Sequence, residues 1–367
     1  MQEDFHYYAT YAAAILAGYN HEESAAICYS AQFVDLCTRT FLTRVKGPQN
    51  AATTQLQLEL MDAPTDAVGL QDITRIWASF HFLPYDLYAE KPHTSKRYLR
   101  KYRLICGPNG KLTEDTVALA KGSSLQAAGL AMHVLADTWA HMYFAGTPSL
   151  VINNTESHFY EIFPDGSEKQ IRFRHTTSPD DVENGIYTAS IFQSSENSIM
   201  NLGHGRAGHL PDYSYIRYKY LPAWGGYREI IKDNPGEYYN AFRQMVHAMM
   251  YLRGDIPAFQ TCCYEGTKAD EYSDEIRRII NKRQISASED WKAFGESLSG
   301  RTIPDFSVET YIDEYMNAPE EEKKETFLGR FFKAALAQKS MVTNRIYASG
   351  SRLAGYSVAQ KKERVNE

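Results

Sequence analysis

The sequence predicts a mainly α-helical protein with one or two small β-hairpins. Three observations support this class: alanine-rich amphipathic stretches, capping signals where those stretches begin, and turn signals confined to a few short segments. The first stretch, residues 4–17, ends at Gly18, and Asn20 with Glu23 then forms a capping box for a helix that reaches about Thr40. Residues 66–86 are predicted to form a helix or turn that leads to Pro84.

The stretch GLAMHVLADTWAHMYFAG, residues 129–146, belongs to a predicted central helix over residues 125–144. Ser123 and Gln126 match a capping box, and the run contains no proline. Small residues crowd this helix, which is typical of close approach by other backbones. His133, Asp137 and His141 recur every four residues, so they lie within a stripe roughly 80° wide on one buried face.

The remaining elements follow from turn and capping signals. One hairpin is predicted to turn at GPNG after KYRLIC, and another at PDG between HFYEIF and KQIRF. Residues 178–199 are predicted to be helical, and Asn234 with Pro235 starts a further helix. The predicted organisation is a helical domain over residues 1–258 with the hairpins inserted, a C-terminal helical region over 259–345, and a flexible tail over 346–367.

Charge and cysteine content exclude several classes of protein. A net charge of −6 and a pI near 6.0 give no signal for nucleic-acid binding. Five cysteines without regular spacing do not form a disulfide framework, which fits a reducing compartment. The N-terminus lacks the basic region of a signal peptide, and no apolar run reaches the roughly 18 residues needed to cross a bilayer. We therefore expect a cytoplasmic protein without a transmembrane segment, and the sequence leaves its oligomeric state open.

Two interpretations of the central stripe compete. The histidines and Asp137 either form a structural hydrogen-bond network or bind a metal ion through imidazole nitrogens and a carboxylate oxygen. Further histidines and aspartates stand in other segments with strong packing signals and favour the metal interpretation. These additional candidates are Asp4, His6, Asp35, His81, His204, His209 and Asp212.

The helix motif HVLADTWAH resembles the H-x-x-x-D-x-x-x-H helix of the zinc-dependent phospholipase C-like group, which is more distantly similar to phospholipase C and S1/P1-type nucleases. The segments DFHYYATYAAAILAGY, SAQFVDL and GHGRAGHLPD resemble an uncharacterised bacterial branch of that group. The resemblance covers roughly the first 250 residues. It implies a multi-helical phospholipase C-like metal-binding bundle that holds two or three zinc ions and hydrolyses a phosphoester.

The resemblance also assigns roles to individual residues. His133 matches the first histidine of the family helix, Asp137 the bridging aspartate, and His141 a ligand of a neighbouring ion. The other implied metal ligands are His6, Asp35, His81, His204, His209 and Asp212, with Asp4 as a helper or further ligand. His6 takes the place of the processed N-terminal residue that secreted bacterial phospholipases use.

The predicted function is hydrolysis of a phosphodiester, with a lipid-derived substrate among the candidates, by a hydroxide that bridges divalent ions. Asp137 and Asp35 are the predicted catalytic residues, with Asp212 as an alternative general base. Arg206 is predicted to contact a substrate phosphate, or else to form a surface salt bridge. Histidine with carboxylate ligands suits zinc, and also manganese or iron. A non-catalytic protein with a structural metal site and a single-strand nuclease remain as alternatives.

Overall fold

The computed structural model describes residues 1–61, 67–155, 158–176, 178–189 and 202–356. These residues form a mainly helical protein with one small antiparallel sheet, so the predicted mainly α class is confirmed. In chain order the α-helices are α1 Thr10–Leu16, α2 His21–Phe33, α3 Arg39–Arg44, α4 Gln57–Met61, α5 Ala67–Phe80, α6 Lys96–Tyr102, α7 Lys111–Ala120, α8 Leu125–Ala140, α9 Leu150–Asn153, α10 His204–Ala207, α11 Asn234–Arg253, α12 Ser273–Asn281, α13 Ser288–Ser299, α14 Ile312–Asn317 and α15 Phe327–Ala348.

Helix α8 lies at the centre of the fold, and every residue in it except Leu125 is buried. Its cap is one residue later than the sequence predicts, because Ser124 rather than Ser123 accepts a hydrogen bond from a backbone N–H, that of Ala127. Helices α2 and α11 pack along its sides. The α2 backbone comes so close that a Cβ on Gly129 would stand 2.2 Å from the carbonyl oxygen of Ile27.

The N-terminal segment enters the core as a π-helix, Asp4–Ala9, that continues into α1. All six residues of this π-helix are buried. Short π-helical segments are rare and often occur at functional sites. The capping box of Asn20 and Glu23 is confirmed at the start of α2. That helix ends at Phe33 rather than near Thr40, because Thr38 caps the separate helix α3.

The sheet contains β1 Tyr160–Ile162, β2 Glu168–Gln170, β3 Arg217–Tyr220 and β4 Ile230–Asp233 in the order β2-β1-β3-β4, with antiparallel neighbours throughout. The hairpin predicted at PDG is confirmed between β1 and β2, where Gly166 has a positive φ of 82°. The hairpin predicted at GPNG is wrong. Ile105 and Cys106 bridge to distant segments, and the GPNG turn leads instead into α7.

The predicted helix over residues 178–199 is wrong for its described part. Residues 178–189 form turns and isolated bridges, because Asp181 pairs with Ile186 and Thr188 pairs with Arg174. Residues 190–199 of that prediction lie outside the described residues. The start of α11 at Asn234, with proline in its first turn, is confirmed.

One hydrophobic cluster includes residues on both sides of the predicted division at residue 258. It extends from Met1 to Ala354, and a second cluster lies around the sheet. Helix α13 packs against the N-terminal π-helix, and α15 packs against α5 and α8.

The predicted flexible tail begins inside α15, and Ala354 is fully buried; residues 357–367 lie outside the described part of the chain. Among the described helices, none combines the length and apolar character needed to cross a membrane.

Candidate metal centre

Helix α8 presents the first three candidate ligands. His133 and Asp137 lie one turn apart inside the helix, and His141 follows at its C-terminal cap. The Nε2 atom of His133 lies 3.2 Å from Asp137 Oδ2, and the Nδ1 atom of His141 lies 3.4 Å from the same oxygen. The spacing of four residues therefore produces the shared face that the sequence predicts.

The carboxylate of Asp137 is the meeting point of several distant segments. Its Oδ1 lies 3.2 Å from Nε2 of His6, and its Oδ2 lies 3.3 Å from Nδ1 of His81, just beyond the end of α5. The rings of His6 and His133 stack with centroids 3.9 Å apart. The amino group of Met1 lies 2.8 Å from Asp137 Oδ1 and 3.3 Å from Asp212 Oδ1. Imidazoles from three parts of the chain thus surround one buried carboxylate.

In the described part of the chain, three sets of side chains bring their nitrogen and oxygen atoms within 4.8 Å of one another. We call His6, His133 and Asp137 the inner group, Asp35, His81 and His133 the middle group, and His141, His204 and Asp212 the outer group. Eight of the nine predicted metal ligands belong to these groups. The structure therefore brings together side chains that lie more than 200 positions apart in the sequence.

The outer group depends on the glycine-rich turn. Gly203 and Gly208 have positive φ angles of 53° and 58°, and they flank helix α10. A Cβ on Gly208 would stand 2.2 Å from the carbonyl oxygen of Thr188, so a larger residue would push this turn away. With the turn in place, Nε2 of His204 lies 3.3 Å from Asp212 Oδ1, and Nε2 of His141 lies 3.5 Å from the same atom.

A cleft of about 250 Å³ opens onto the middle and outer groups. Four candidate ligands line it, namely Asp35, His81, His141 and His204. Apolar side chains form much of the remaining wall, and these are Leu60, Trp77, Phe82, Phe144 and Leu202. The inner group lies behind this surface, because His6, His133 and Asp137 are at most 1% exposed and do not line the cleft.

A model of a family of unknown function, DUF6765, matches residues 1–346, which is most of the chain. The chain belongs to the DUF6765 family. No match to it was found among curated proteins or among solved structures. Every member of the three groups lies within the matched residues of this DUF6765 protein, so the candidate centre is part of the family domain.

Three predicted site residues of the DUF6765 chain stand outside the groups. The carboxylate of Asp4 accepts hydrogen bonds from the backbone N–H groups of Phe5 and Ala287, so it secures the π-helix instead of joining a group. His209 belongs to none of the groups, although its Nδ1 lies 3.4 Å from Oδ2 of Asp212, a member of the outer group.

Arg206 is the third of these residues. It is buried, and its guanidinium donates to the side-chain oxygen of Asn154 and to the carbonyl oxygen of Thr155. These contacts hold the glycine-rich turn against the segment after α9. Arg206 is thus buried and not at the surface, and both an ion pair of its guanidinium and its contact with a substrate phosphate stay predictions.

Burial and charge set the protonation of the candidate ligands. Burial lowers the pKa values of His6, His133 and His141 to about 4, so these imidazoles are neutral at pH 7. Burial alone would raise the pKa values of Asp137 and Asp212. Nearby histidines and the Met1 amino group outweigh it and hold both pKa values well below their usual range. Neutral imidazole with ionised carboxylate is the state in which these side chains bind metal ions.

Hydrogen bonds fix which imidazole nitrogens face the groups. Nε2 of His81 lies 3.0 Å from the carbonyl oxygen of Thr53, and Nδ1 of His141 lies 2.7 Å from the carbonyl oxygen of His81. Because a carbonyl oxygen only accepts, each of these nitrogens carries a proton, and Nε2 of the neutral His141 has a free lone pair. His81 differs, because its Nδ1 lies 3.3 Å from Asp137 Oδ2; burial alone would lower the pKa of His81, but the contact with Asp137 and the charge of Asp35 raise it. Both nitrogens of His6 and Nε2 of His141 are buried, and among the described residues none of them forms a hydrogen bond of suitable geometry despite the nearby carboxylates, which fits a role as metal ligands.

The C-terminal helix of the DUF6765 protein supports this arrangement. Lys339 donates to the carbonyl oxygens of Asn50 and Ala52, immediately before Thr53, and the Thr53 hydroxyl donates to the carbonyl of Val34, next to Asp35. Neighbouring Gln338 donates to the carbonyl of Ser79 near the end of α5. The sequence analysis did not identify these residues, because a buried lysine in an amphipathic helix carries no local signal.

Proposed function

We propose that this DUF6765 protein is a divalent-metal-dependent phosphoesterase that hydrolyses a phosphodiester in the cleft beside α8. The observation that carries the proposal is the convergence of three histidine–aspartate groups, two of which reach the cleft. Burying imidazoles and carboxylates in these protonation states costs free energy, and metal binding would offset that cost. The resemblance to the zinc-dependent phospholipase C-like group belongs to the same proposal.

The ligand atoms suggest where ions bind. His6, His133 and Asp137 would hold one ion away from solvent, and His141, His204 and Asp212 would hold another at the cleft. Zinc suits this mixture of imidazole and carboxylate, and Mn²⁺ or Fe²⁺ are compatible with it. When bound, such ions supply a water of lowered pKa and positive charge that neutralises phosphoryl oxygens.

Asp35 is our choice for proton transfer among the three aspartates. Its side chain is 31% exposed and lines the cleft, whereas those of Asp137 and Asp212 are 1% and 9% exposed. Burial raises the pKa of Asp35, which makes its carboxylate a better proton acceptor. We propose that Asp137 and Asp212 act as ligands, and that Asp35 accepts or returns a proton at the cleft surface.

The inner group also supports a second candidate function, a structural metal site. Closed coordination is typical of structural zinc, and His6, His133 and Asp137 have no access to the cleft. The two functions coexist if the inner ion stabilises the fold and the ion at the cleft is catalytic. A protein that holds only the inner ion would be non-catalytic.

The experiment begins with metal analysis of the purified protein, followed by assays on bis-aryl phosphate, a phosphocholine ester, a phospholipid and single-stranded DNA. We expect at least two ions per chain and hydrolysis of at least one phosphodiester. Asp35→Asn should retain the ions and lose at least about a hundredfold in kcat, as expected for a general base. Inactivity on the whole panel after metal reloading would contradict the enzymatic proposal, and preference for DNA would favour the nuclease.

A further inference from the structure

A second cavity, of about 330 Å³, lies between helices α5 and α6, and several cationic side chains belong to its lining. Helix α6 has the sequence KRYLRKY, with four cationic residues, no acidic residue and no buried residue. Its side chains Arg97, Arg100 and Lys101 line the cavity together with Arg352 from the segment after α15. Among the described residues, no aspartate or glutamate lines it, although the whole chain has a net charge of −6. We call these four side chains the basic cluster.

The basic cluster differs from the other cations around it. Arg75 lies 3.9 Å from Asp72, and Arg103 lies 3.0 Å from Glu90, so cations flanking the cavity have carboxylate partners. Within the described residues, no member of the basic cluster forms an ion pair. Burial and the nearby charge of Arg97 lower the pKa of Lys101, as expected where like charges share a site. An anion in the cavity would relieve this repulsion.

The cavity is next to the proposed catalytic cleft. Helix α5 lines the cavity with Leu70 and Thr74, and the same helix lines the cleft with Trp77, less than a turn further on. The segment that follows α8 also lines both, with Ala145 at the cleft and Ser149 at the cavity. The two cavities therefore have neighbouring walls on α5 and on the segment after α8, which is the geometric basis for a ligand that occupies both.

We propose that the basic cluster binds a phosphate group, and that this phosphate is a second anionic group of the substrate cleaved in the cleft. The second part rests on the proposed function. Guanidinium groups match the geometry of phosphate oxygens, and the side chain of Ser149 at the cavity supplies a further hydroxyl donor. The substrate class is thus a phosphodiester that carries an additional phosphate, as a nucleotide chain or a phosphorylated head group does.

The first test measures binding of inorganic phosphate to metal-free protein by calorimetry in 0.15 M NaCl, so that the metal groups do not contribute. We expect Arg100→Gln to raise the Kd roughly tenfold, because it removes a charged donor from the cavity. Lys96→Gln is the matched control, since it removes a positive charge from the same helix at a position that does not line the cavity. Absence of binding by the wild-type protein, or equal weakening in both variants, would overturn the proposal.

The second test compares substrates with and without the extra phosphate on the metal-loaded protein. One pair is a thymidine dinucleotide with and without a 5′-phosphate, and the other is glycerophosphoinositol with and without a phosphate on the inositol. We expect the phosphorylated member of one pair to have the lower KM, and Arg100→Gln to abolish that difference. Turnover without such a difference in either pair would refute the substrate assignment. Absence of turnover on both pairs and on the whole panel described above would refute the proposed function, and the phosphate-binding test would still stand.

Discussion

Replacing Asp137 with asparagine removes the charge around which the imidazoles gather, with almost no change in side-chain volume. Asp137 is 1% exposed and lies within 3.4 Å of ring nitrogens of His6, His81, His133 and His141. An ion in the inner group would have this carboxylate as its only anionic ligand. We therefore expect Asp137→Asn to lose the inner ion selectively.

The magnitude follows from electrostatics at this depth of burial. At an effective dielectric constant of about 20, unit charges about 4 Å apart interact by about 4 kcal/mol, so a dication and a carboxylate interact by about 8 kcal/mol. The side-chain oxygen of asparagine can still bind the ion, and the variant avoids the desolvation of a carboxylate. Together these two effects offset about half of the lost interaction energy. The remaining ~4 kcal/mol corresponds to a roughly thousandfold weaker affinity.

The assay combines metal stoichiometry with thermal unfolding. Wild-type protein that has been stripped and reloaded should bind at least two ions, and its Tm should rise because the ions bind only the folded state. Asp137→Asn should bind at least one ion fewer and show a smaller rise in Tm. Asp180→Asn is a suitable control, because Asp180 is a buried carboxylate that accepts from Thr188 and Tyr213 outside the three groups. Wild-type stoichiometry and affinity in Asp137→Asn, or an equal loss in Asp180→Asn, would refute the reasoning.

Three further predictions concern the support of the centre. Lys339→Met should weaken metal binding about tenfold or more in a metal titration, because loss of a supporting contact displaces the segment that holds His81 and Asp35, whereas Thr343→Val on the same helix should leave metal binding unchanged. Burial raises the pKa of Asp4 from 3.8 to about 6, so its contribution to stability is present below pH 3.8 and lost as the pH rises through 6. The free energy of unfolding should therefore fall by about 3 kcal/mol between these pH values, and chemical denaturation of Asp4→Asn should show no such fall. Gly129→Ala should destabilise the protein by about 3 kcal/mol, since its Cβ would collide with the Ile27 carbonyl; an unchanged Tm would contradict the close packing.

Local signals determined much of the helical framework. The capping box at Asn20 and the proline start of α11 act within a single turn, so the sequence alone placed these ends. The shared face of His133 and Asp137 is likewise a property of any α-helix. Prediction was wrong where distant segments compete with a local turn. Residues near GPNG bridge to Pro84 and Ala145 instead of pairing with each other.

Tertiary structure decided which polar residues form the centre. Asp4 and His6 are close in the sequence, yet only His6 faces α8, because the π-helix turns Asp4 toward the backbone of Ala287. His204 joins the outer group, whereas His209, from the same glycine-rich turn, does not. Side-chain direction in a turn depends on long-range packing, whereas direction along a helix follows its period. For the same reason only the folded chain reveals that Lys339 is buried beside the segment that holds His81.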